Sequence, residues 1–303
     1  MSQGTIVKAL SGYYYVLPDG QGPGDPRIQC RGRGIFKKKK ITPLVGDRVE
    51  FALTENGEGT VTEILPRSSE LIRPPVANVE LAVLVFSIAE PSLNLQLLDK
   101  FLVHAEHAGL DALLVLSKHD LLLSGHVDVE LEEVEAIRTM YEAIGYRVVI
   151  SSSSESRGLD EIREYLKGRI SVFAGQSGVG KSSLLNAIIP GLSLDTNEIS
   201  QKLGRGKHTT RHVELIALEP SGWVADTPGF SQLDFSPIEA EDLAACFPEM
   251  ASRAPGCRFR GCLHLNEPGC SVQEAVDAGV IPATRYEHYQ LFLAEIKERK
   301  RRY

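Results

Sequence analysis

The chain has 303 residues, 43% of them hydrophobic and 24% charged, which excludes a disordered or collagen-like polymer and gives length for two domains or more. A formal net charge of −7 excludes a protein basic over its whole surface. Lys plus Arg number 11 against 8 acids in residues 1–73, 13 against 22 in 74–234 and 9 against 10 in 235–303, so the acidic excess is central.

In chain order, residues 1–66 read as short strands at 5–9, 13–17, 28–31, 47–53 and 59–64, broken by Gly, Pro and Asp-Gly. Five strands in that length predict a small Greek-key barrel of the OB type, an architecture that often carries nucleic acid. Residues 68–75, ending in Pro74-Pro75, predict a linker because paired prolines resist helix and sheet. From Val79 onward, apolar strands at 81–86, 112–116, 147–150, 170–174, 213–218 and 223–225 alternate with helical periodicity at 94–107, 128–144, 158–167 and 181–189. That alternation predicts a parallel sheet built from βαβ units. Beyond Pro237 the chain reads as helical and polar, with a last helix at 282–301. The expected architecture is therefore multidomain: an OB-type barrel (1–67), an α/β domain (76–235) and a helical module (236–303).

The start of the chain lacks a charged segment leading into an apolar one, and the purest apolar run, 81–86, is too short for a bilayer. A soluble cytoplasmic protein without membrane contact is the expectation. Five cysteines, an odd number, argue against a disulfide framework. Two compact basic clusters, Arg31, Arg33 and Lys37 to Lys40 near the start and Lys297 and Arg299 to Arg302 at the end, read either as nucleic-acid contacts or as a solvated loop and a frayed helix tail.

The strongest chemical signal is Gly175-Gln176-Ser177-Gly178-Val179-Gly180-Lys181-Ser182, a complete G-x-x-x-x-G-K-S loop between a strand and a helix. Its glycines let successive backbone N–H groups face a triphosphate, and the helix adds its positive end. Lys181 neutralises phosphate oxygens and Ser182 offers a hydroxyl to Mg²⁺; Ser183 follows as a further nucleotide-binding candidate. Asp226-Thr227-Pro228-Gly229 stands at a D-x-x-G position, where the carboxylate serves Mg²⁺ and the Gly229 N–H reaches the γ-phosphate. Between them, residues 204–211 hold His208, Thr209 and Thr210, with one of the two threonines expected to close over the metal. Phe230 follows the D-x-x-G and cannot orient water, which leaves that task to His208 or to a group supplied in trans.

Base choice falls to Ser117-Lys118-His119-Asp120, an N-K-x-D element with Ser in place of Asn. A carboxylate at Asp120 accepts from N1–H and the 2-amino group of guanine, a donor pair that adenine lacks and that disfavours an ATP-driven enzyme. Ser117 is expected to shorten or lose both the base contact and the tether to the phosphate loop. Ser152-Ser153, ahead of Gly158, resemble the S-A loop that meets guanine O6. The order of these elements differs from that of ordinary GTPases: base recognition precedes the phosphate loop, which indicates a circular permutation. Residues 226–229 then feed into the C-terminal segment, where nucleotide-driven movement is expected to be passed on. That segment carries Cys257, Cys262, His264 and Cys270, a set matching a closed structural Zn²⁺ site. Cys30 and Cys246 read as core residues.

The ordered set of barrel, permuted phosphate loop, His208-Thr209-Thr210, Asp226 to Gly229 and Cys-Cys-His-Cys segment resembles the RsgA (YjeQ-type) small ribosomal subunit biogenesis GTPases over nearly the whole chain. The resemblance implies a bacterial cytoplasmic enzyme that binds the 30S subunit and its 16S rRNA late in assembly. It also implies weak GTP hydrolysis to GDP and phosphate, stimulated by the subunit. The expected oligomeric state is a monomer. A competing reading makes the chain a non-enzymatic, nucleotide-gated rRNA-binding scaffold.

Overall fold

The computed structural model describes residues 2–34, 36, 41–72, 74–123, 129–194, 213–225 and 233–301. The barrel comprises β1 (Ser2–Leu10), β2 (Tyr13–Pro18), β3 (Ile28–Gly32), β4 (Arg48–Leu53) and β5 (Gly59–Ile64). The strands run in the order β1-β2-β3-β5-β4, and β4 returns to β1 and closes the ring, as in an OB barrel. Alternation sets the inward face: Val49 and Phe51 of β4 are buried beside Val16, Cys30 and Val61. A register shift between Ile6 and Lys8 lets β1 bend, so that both Ile6 and Val7 are buried and the strand's end leaves the barrel.

The stretch expected as a linker is structured. β6 (Glu70–Ile72) and β7 (Pro75–Ala77) form an antiparallel pair in which Pro75 faces Ile72 at the end of the ladder, a place where a missing N–H is tolerated. Arg67 binds both carboxylate oxygens of fully buried Asp47, at 2.7 and 2.8 Å, and Glu70 at 2.5 Å, which fastens this hairpin to the barrel.

The α/β part holds β8 (Leu81–Ser87), β9 (Asp111–Ser117), β10 (Arg147–Ile150), β11 (Ile170–Ala174), β12 (Val213–Ala217) and β13 (Trp223–Ala225). Their order is β10-β9-β8-β11-β13-β12, parallel throughout except for the β12–β13 pair. Every residue of β8 is buried because helices cover both faces. α1 (Leu95–His107) and α3 (Leu131–Ile144) cover one face through Leu98, Phe101, Leu102, Val134 and Tyr141. α4 (Leu159–Leu166) and α5 (Lys181–Ile188) cover the other through Ile162, Leu166, Leu184 and Ile188; α2 (Asp120–Leu123) is a single turn. Asn94 starts α1 by accepting from the Leu97 N–H, and Gly145 ends α3 in a left-handed conformation.

Among the described residues, barrel and α/β sheet are one hydrogen-bonded surface of eleven strands, because β1 pairs with β12 (Lys8 with Glu214, Ala9 with Val213). Glu214 also accepts from Lys8 Nζ at 2.7 Å and Arg27 Nη1 at 2.5 Å.

The C-terminal part contains α6 (Pro248–Ala251), α7 (Ser271–Asp277) and α8 (Ala283–Arg301). Its core of Phe235, Phe247, Met250, Tyr289, Phe292 and Ile296 also takes in Val103 of α1, so this module packs on the α/β part. Arg285 is fully buried between Asp99 of α1, at 2.6 Å, and Glu249, at 2.7 and 3.1 Å. Tyr141 and His288 also hydrogen-bond Asp99, at 2.7 and 2.5 Å. Lys300 of the C-terminal basic cluster pairs with Glu239. Lys37 to Lys40 lie outside the described residues. No helix among the described residues is long and apolar enough to cross a membrane.

Candidate functional site

The parallel strands place their carboxyl ends, Ser87, Ser117, Ile150, Ala174 and Ala225, along one edge, where α/β sheets take ligands. Four segments of chemical interest start there: 118–120, 151–157, 175–180 and 226–229. The last of these, with Asp226 and Gly229, and the 204–211 stretch with His208, Thr209 and Thr210, lie outside the described residues.

Gly175 has φ +142°, and a Cβ there would sit 2.1 Å from the Val85 carbonyl, so only glycine lets the loop leave β11 this close to β8. The loop exposes Ser177 and Gly178, buries Val179, and ends at Gly180, from which α5 begins with Lys181. Lys181 Nζ donates to the carbonyls of Gly175 at 2.8 Å and Gln176 at 2.6 Å, lying across the loop, and burial lowers its pKa to about 8. Ser182 is buried at the first turn of α5 and Ser183 is half-buried.

Ser117 does not lose the tether to this loop. Its hydroxyl donates to the Val179 carbonyl at 2.6 Å, while the Phe86 carbonyl lies 3.2 Å away. Lys118 turns the chain at φ +63° and donates to the Glu90 carbonyl. Its chain passes beside Gly180, where a Cβ would lie 4.0 Å from Lys118 Cε. His119 is buried, donates its backbone N–H to Ser151 at 3.1 Å and lies 3.0 Å from an Arg157 guanidinium nitrogen.

Asp120 accepts from the Ser152 hydroxyl at 2.6 Å, and that bond holds its carboxyl below the usual range. Ser152 also accepts from the Glu155 N–H at 3.2 Å and sits 2.9 Å from the Ser154 hydroxyl, while Ser153 is half-exposed. A backbone pair between Ser152 and Arg157 pins the turn. Gly158, at φ +72°, starts α4 where a Cβ would meet the Ile150 carbonyl at 2.7 Å. The structure thus brings 117–120, 151–157 and 175–183 together. Sequence reading missed Arg157 and Glu90, which carry no motif.

Cys257, Cys262, His264 and Cys270 bring their ligand atoms within 4.8 Å of one another. A tetrahedral zinc with Zn–S of about 2.3 Å and Zn–N of about 2.0–2.1 Å separates sulfurs by about 3.8 Å and sulfur from nitrogen by about 3.6 Å. Cys257 Sγ lies 3.8 Å from Cys270 Sγ and 3.6 Å from His264 Nδ1, and His264 Nδ1 lies 3.2 Å from Cys270 Sγ, so the donor set fits. The Glu267 carboxylate accepts from the N–H groups of Leu263, Leu265 and Asn266, and Tyr286 and Tyr289 donate to the carbonyls of His264 and Leu263. Cys30 and Cys246 stand apart in the cores, where burial raises their thiols to about 11 and about 12.

Residues 3–61 match the family model for the RsgA N-terminal domain and residues 64–236 that for the RsgA GTPase. Relatives from Halalkalibacterium halodurans and Geobacillus kaustophilus, each 55% identical with all of both chains covered, are named small ribosomal subunit biogenesis GTPase RsgA. The crystal structure of YloQ, described as a circularly permuted GTPase, is similar at TM-score 0.83 and 46% identity over 99% of this chain and 96% of that one. The structure of YjeQ from Thermotoga maritima gives 0.85 and 38% over 97% and 98%. With both models and full-length relatives in agreement, the chain belongs to the RsgA family of circularly permuted GTPases.

Proposed function

We propose that this GTPase acts in the cytoplasm as a monomer on the maturing 30S subunit, binding its 16S rRNA and hydrolysing GTP to GDP and phosphate faster on the subunit than off it. The observation that carries this reading is the convergence of 117–120, 151–157 and 175–183 on one sheet edge, joined by the Ser117–Val179 and Asp120–Ser152 hydrogen bonds, in a chain whose relatives are named for small-subunit biogenesis. The units are a barrel (1–67), the permuted domain (76–235) and the C-terminal module (236–303).

In this reading Asp120, kept ionised, accepts from the guanine N1–H and 2-amino group. The 175–180 backbone holds the phosphates, and Lys181 moves its ammonium from the loop carbonyls to the β- and γ-oxygens. Ser182 and Asp226 would hold Mg²⁺, which would supply charge neutralisation to the triphosphate. Thr209 or Thr210 and the Gly229 N–H report the γ-phosphate, and His208 or a subunit group orients the attacking water. Cys257, Cys262, His264 and Cys270 hold one structural Zn²⁺.

Multiple-turnover GTP hydrolysis with 30S subunits, with 50S subunits and with neither tests this. Acceleration by 30S alone is expected; equal rates in all three would refute the reading.

A further inference from the structure

The C-terminal module buries Phe235, Phe247, Tyr289 and Phe292, yet leaves Phe259 47% exposed, between the metal-site residues Cys257 and Cys262. Arg258 and Arg260 flank it and are exposed, as is Arg253. The Arg258 guanidinium carbon lies 5.5 Å from the ring centroid. No Asp or Glu occurs between Met250 and Asn266, and the acids at either end are engaged inward: Glu249 by Arg285, Glu267 by three backbone N–H groups. A half-exposed aromatic ring flanked in the chain by Arg258 and Arg260, in an acid-free stretch that also exposes Arg253, fits a planar base and its phosphate, because stacking tolerates any base and arginine meets phosphate oxygens. An apolar protein partner would instead call for a cluster of hydrophobic side chains, and Phe259 stands alone among arginines.

The loop is also held in advance. Besides the Glu267, Tyr286 and Tyr289 contacts, Arg258 N–H donates to the Gly269 carbonyl at 3.0 Å, so little conformational freedom remains to be lost on binding. We propose that Phe259, with Arg253, Arg258 and Arg260, is a stacking platform for an unpaired RNA nucleotide. This rests on the reading that the protein binds rRNA, and it assigns one base contact to the turn between Cys257 and Cys262.

The test uses the full chain with its zinc content verified, a short single-stranded oligouridylate and 30S subunits. Phe259→Ala is expected to weaken binding of both about 10-fold. Phe259→Trp restores binding, and its added emission, read against wild type with Trp223 as the single tryptophan, is quenched by the RNA. Replacing Arg258 and Arg260 by Gln lowers the slope of log affinity against log salt by about 1.4 for single strands. Phe259→Ala binding RNA as wild type does, or an added emission in Phe259→Trp that responds to polyglutamate and not to RNA, overturns the proposal. Wild type that binds the oligonucleotide through Phe259 but fails to bind 30S supports the platform and overturns the subunit reading instead.

Discussion

Replacing Arg285 by methionine keeps most of the side-chain volume and removes the cation that lies between Asp99 and Glu249. Arg285 is fully buried, and its guanidinium also lies 4.5 Å from the Phe247 ring centroid. His288 and Tyr141 still serve Asp99 in the variant, but Glu249, bound through both oxygens to Arg285, is left facing the core. Stranding a buried charge typically costs about 3–5 kcal/mol, far more than a surface ion pair contributes. The expected loss is therefore about 3–5 kcal/mol, read by urea denaturation. Because the network ties α8 to α1, cleavage by protease near residue 236 should rise in parallel. Adding Asp99→Asn and Glu249→Gln neutralises both former partners, the stranded Glu249 among them, and should recover more than half of the loss. A loss below about 1 kcal/mol for Arg285→Met, or no recovery in the triple variant, would refute the argument.

Ser117→Ala leaves the buried Val179 carbonyl without its donor, which costs about 1–3 kcal/mol; GTP affinity should fall about 10-fold with zinc retained, and unchanged affinity would show the tether to be idle. Asp120→Asn should weaken GTP and favour xanthosine triphosphate, as measured by nucleotide competition. Burial holds Lys181 at about 8, below an ordinary lysine, so above that pH the free side chain is neutral and must take up a proton to meet the triphosphate. GTP affinity should then fall about 5-fold between about pH 7 and pH 8.7, and titration calorimetry of Lys181→Met should lose that dependence. Cys270→Ser should abolish bound zinc by elemental analysis and loosen the C-terminal module, while GTP binding persists.

The phosphate loop, the strands around it and the clustering of Cys257, Cys262, His264 and Cys270 were legible because each rests on local rules: apolar periodicity, glycines where the backbone must pass close, and the spacing of thiols and imidazole. What was not legible depended on distances between segments remote in sequence. The length of the Ser117 side chain pointed to a lost tether, yet β8, β9 and β11 bring Val179 within reach of it. Pro74-Pro75 read as a breaker, but Pro75 sits at a ladder end. Arg285, Asp99 and His288 are charged or titratable residues of helices, a type that ordinarily faces solvent, and they are instead mutually satisfied inside. The β1–β12 pairing left no mark, since edge strands reveal partners only through register.

These joints differ in strength, and the difference bears on how nucleotide state reaches the rest of the chain. Residues 195–212 run into β12, whose partner outside the α/β sheet is the barrel strand β1, supported by Lys8–Glu214 and Arg27–Glu214 pairs with side chains 30% exposed. Such half-open pairs contribute about 0–1 kcal/mol each. Residues 226–232 run into Phe235, which is buried, stacks on His104 at 5.6 Å and lies under the Lys100 ammonium at 4.5 Å. Burial there pushes His104 down to about 4, so the stack stays neutral at ordinary pH. Beyond it stands the Arg285 network. Displacing the C-terminal module from α1 therefore costs several kcal/mol, whereas at the barrel joint the ion pairs contribute little and the β1–β12 backbone pairing and the core shared with the α/β part hold the two together. A γ-phosphate signal of the usual size, about 1–3 kcal/mol, is too small to undock the module. The C-terminal module, to which residues 226–232 lead, is therefore expected to stay docked on α1 in both nucleotide states, so that any movement passed on from those residues carries module and α/β domain together; protease cleavage near residue 236 that differs between GTP-analogue and GDP states would refute this.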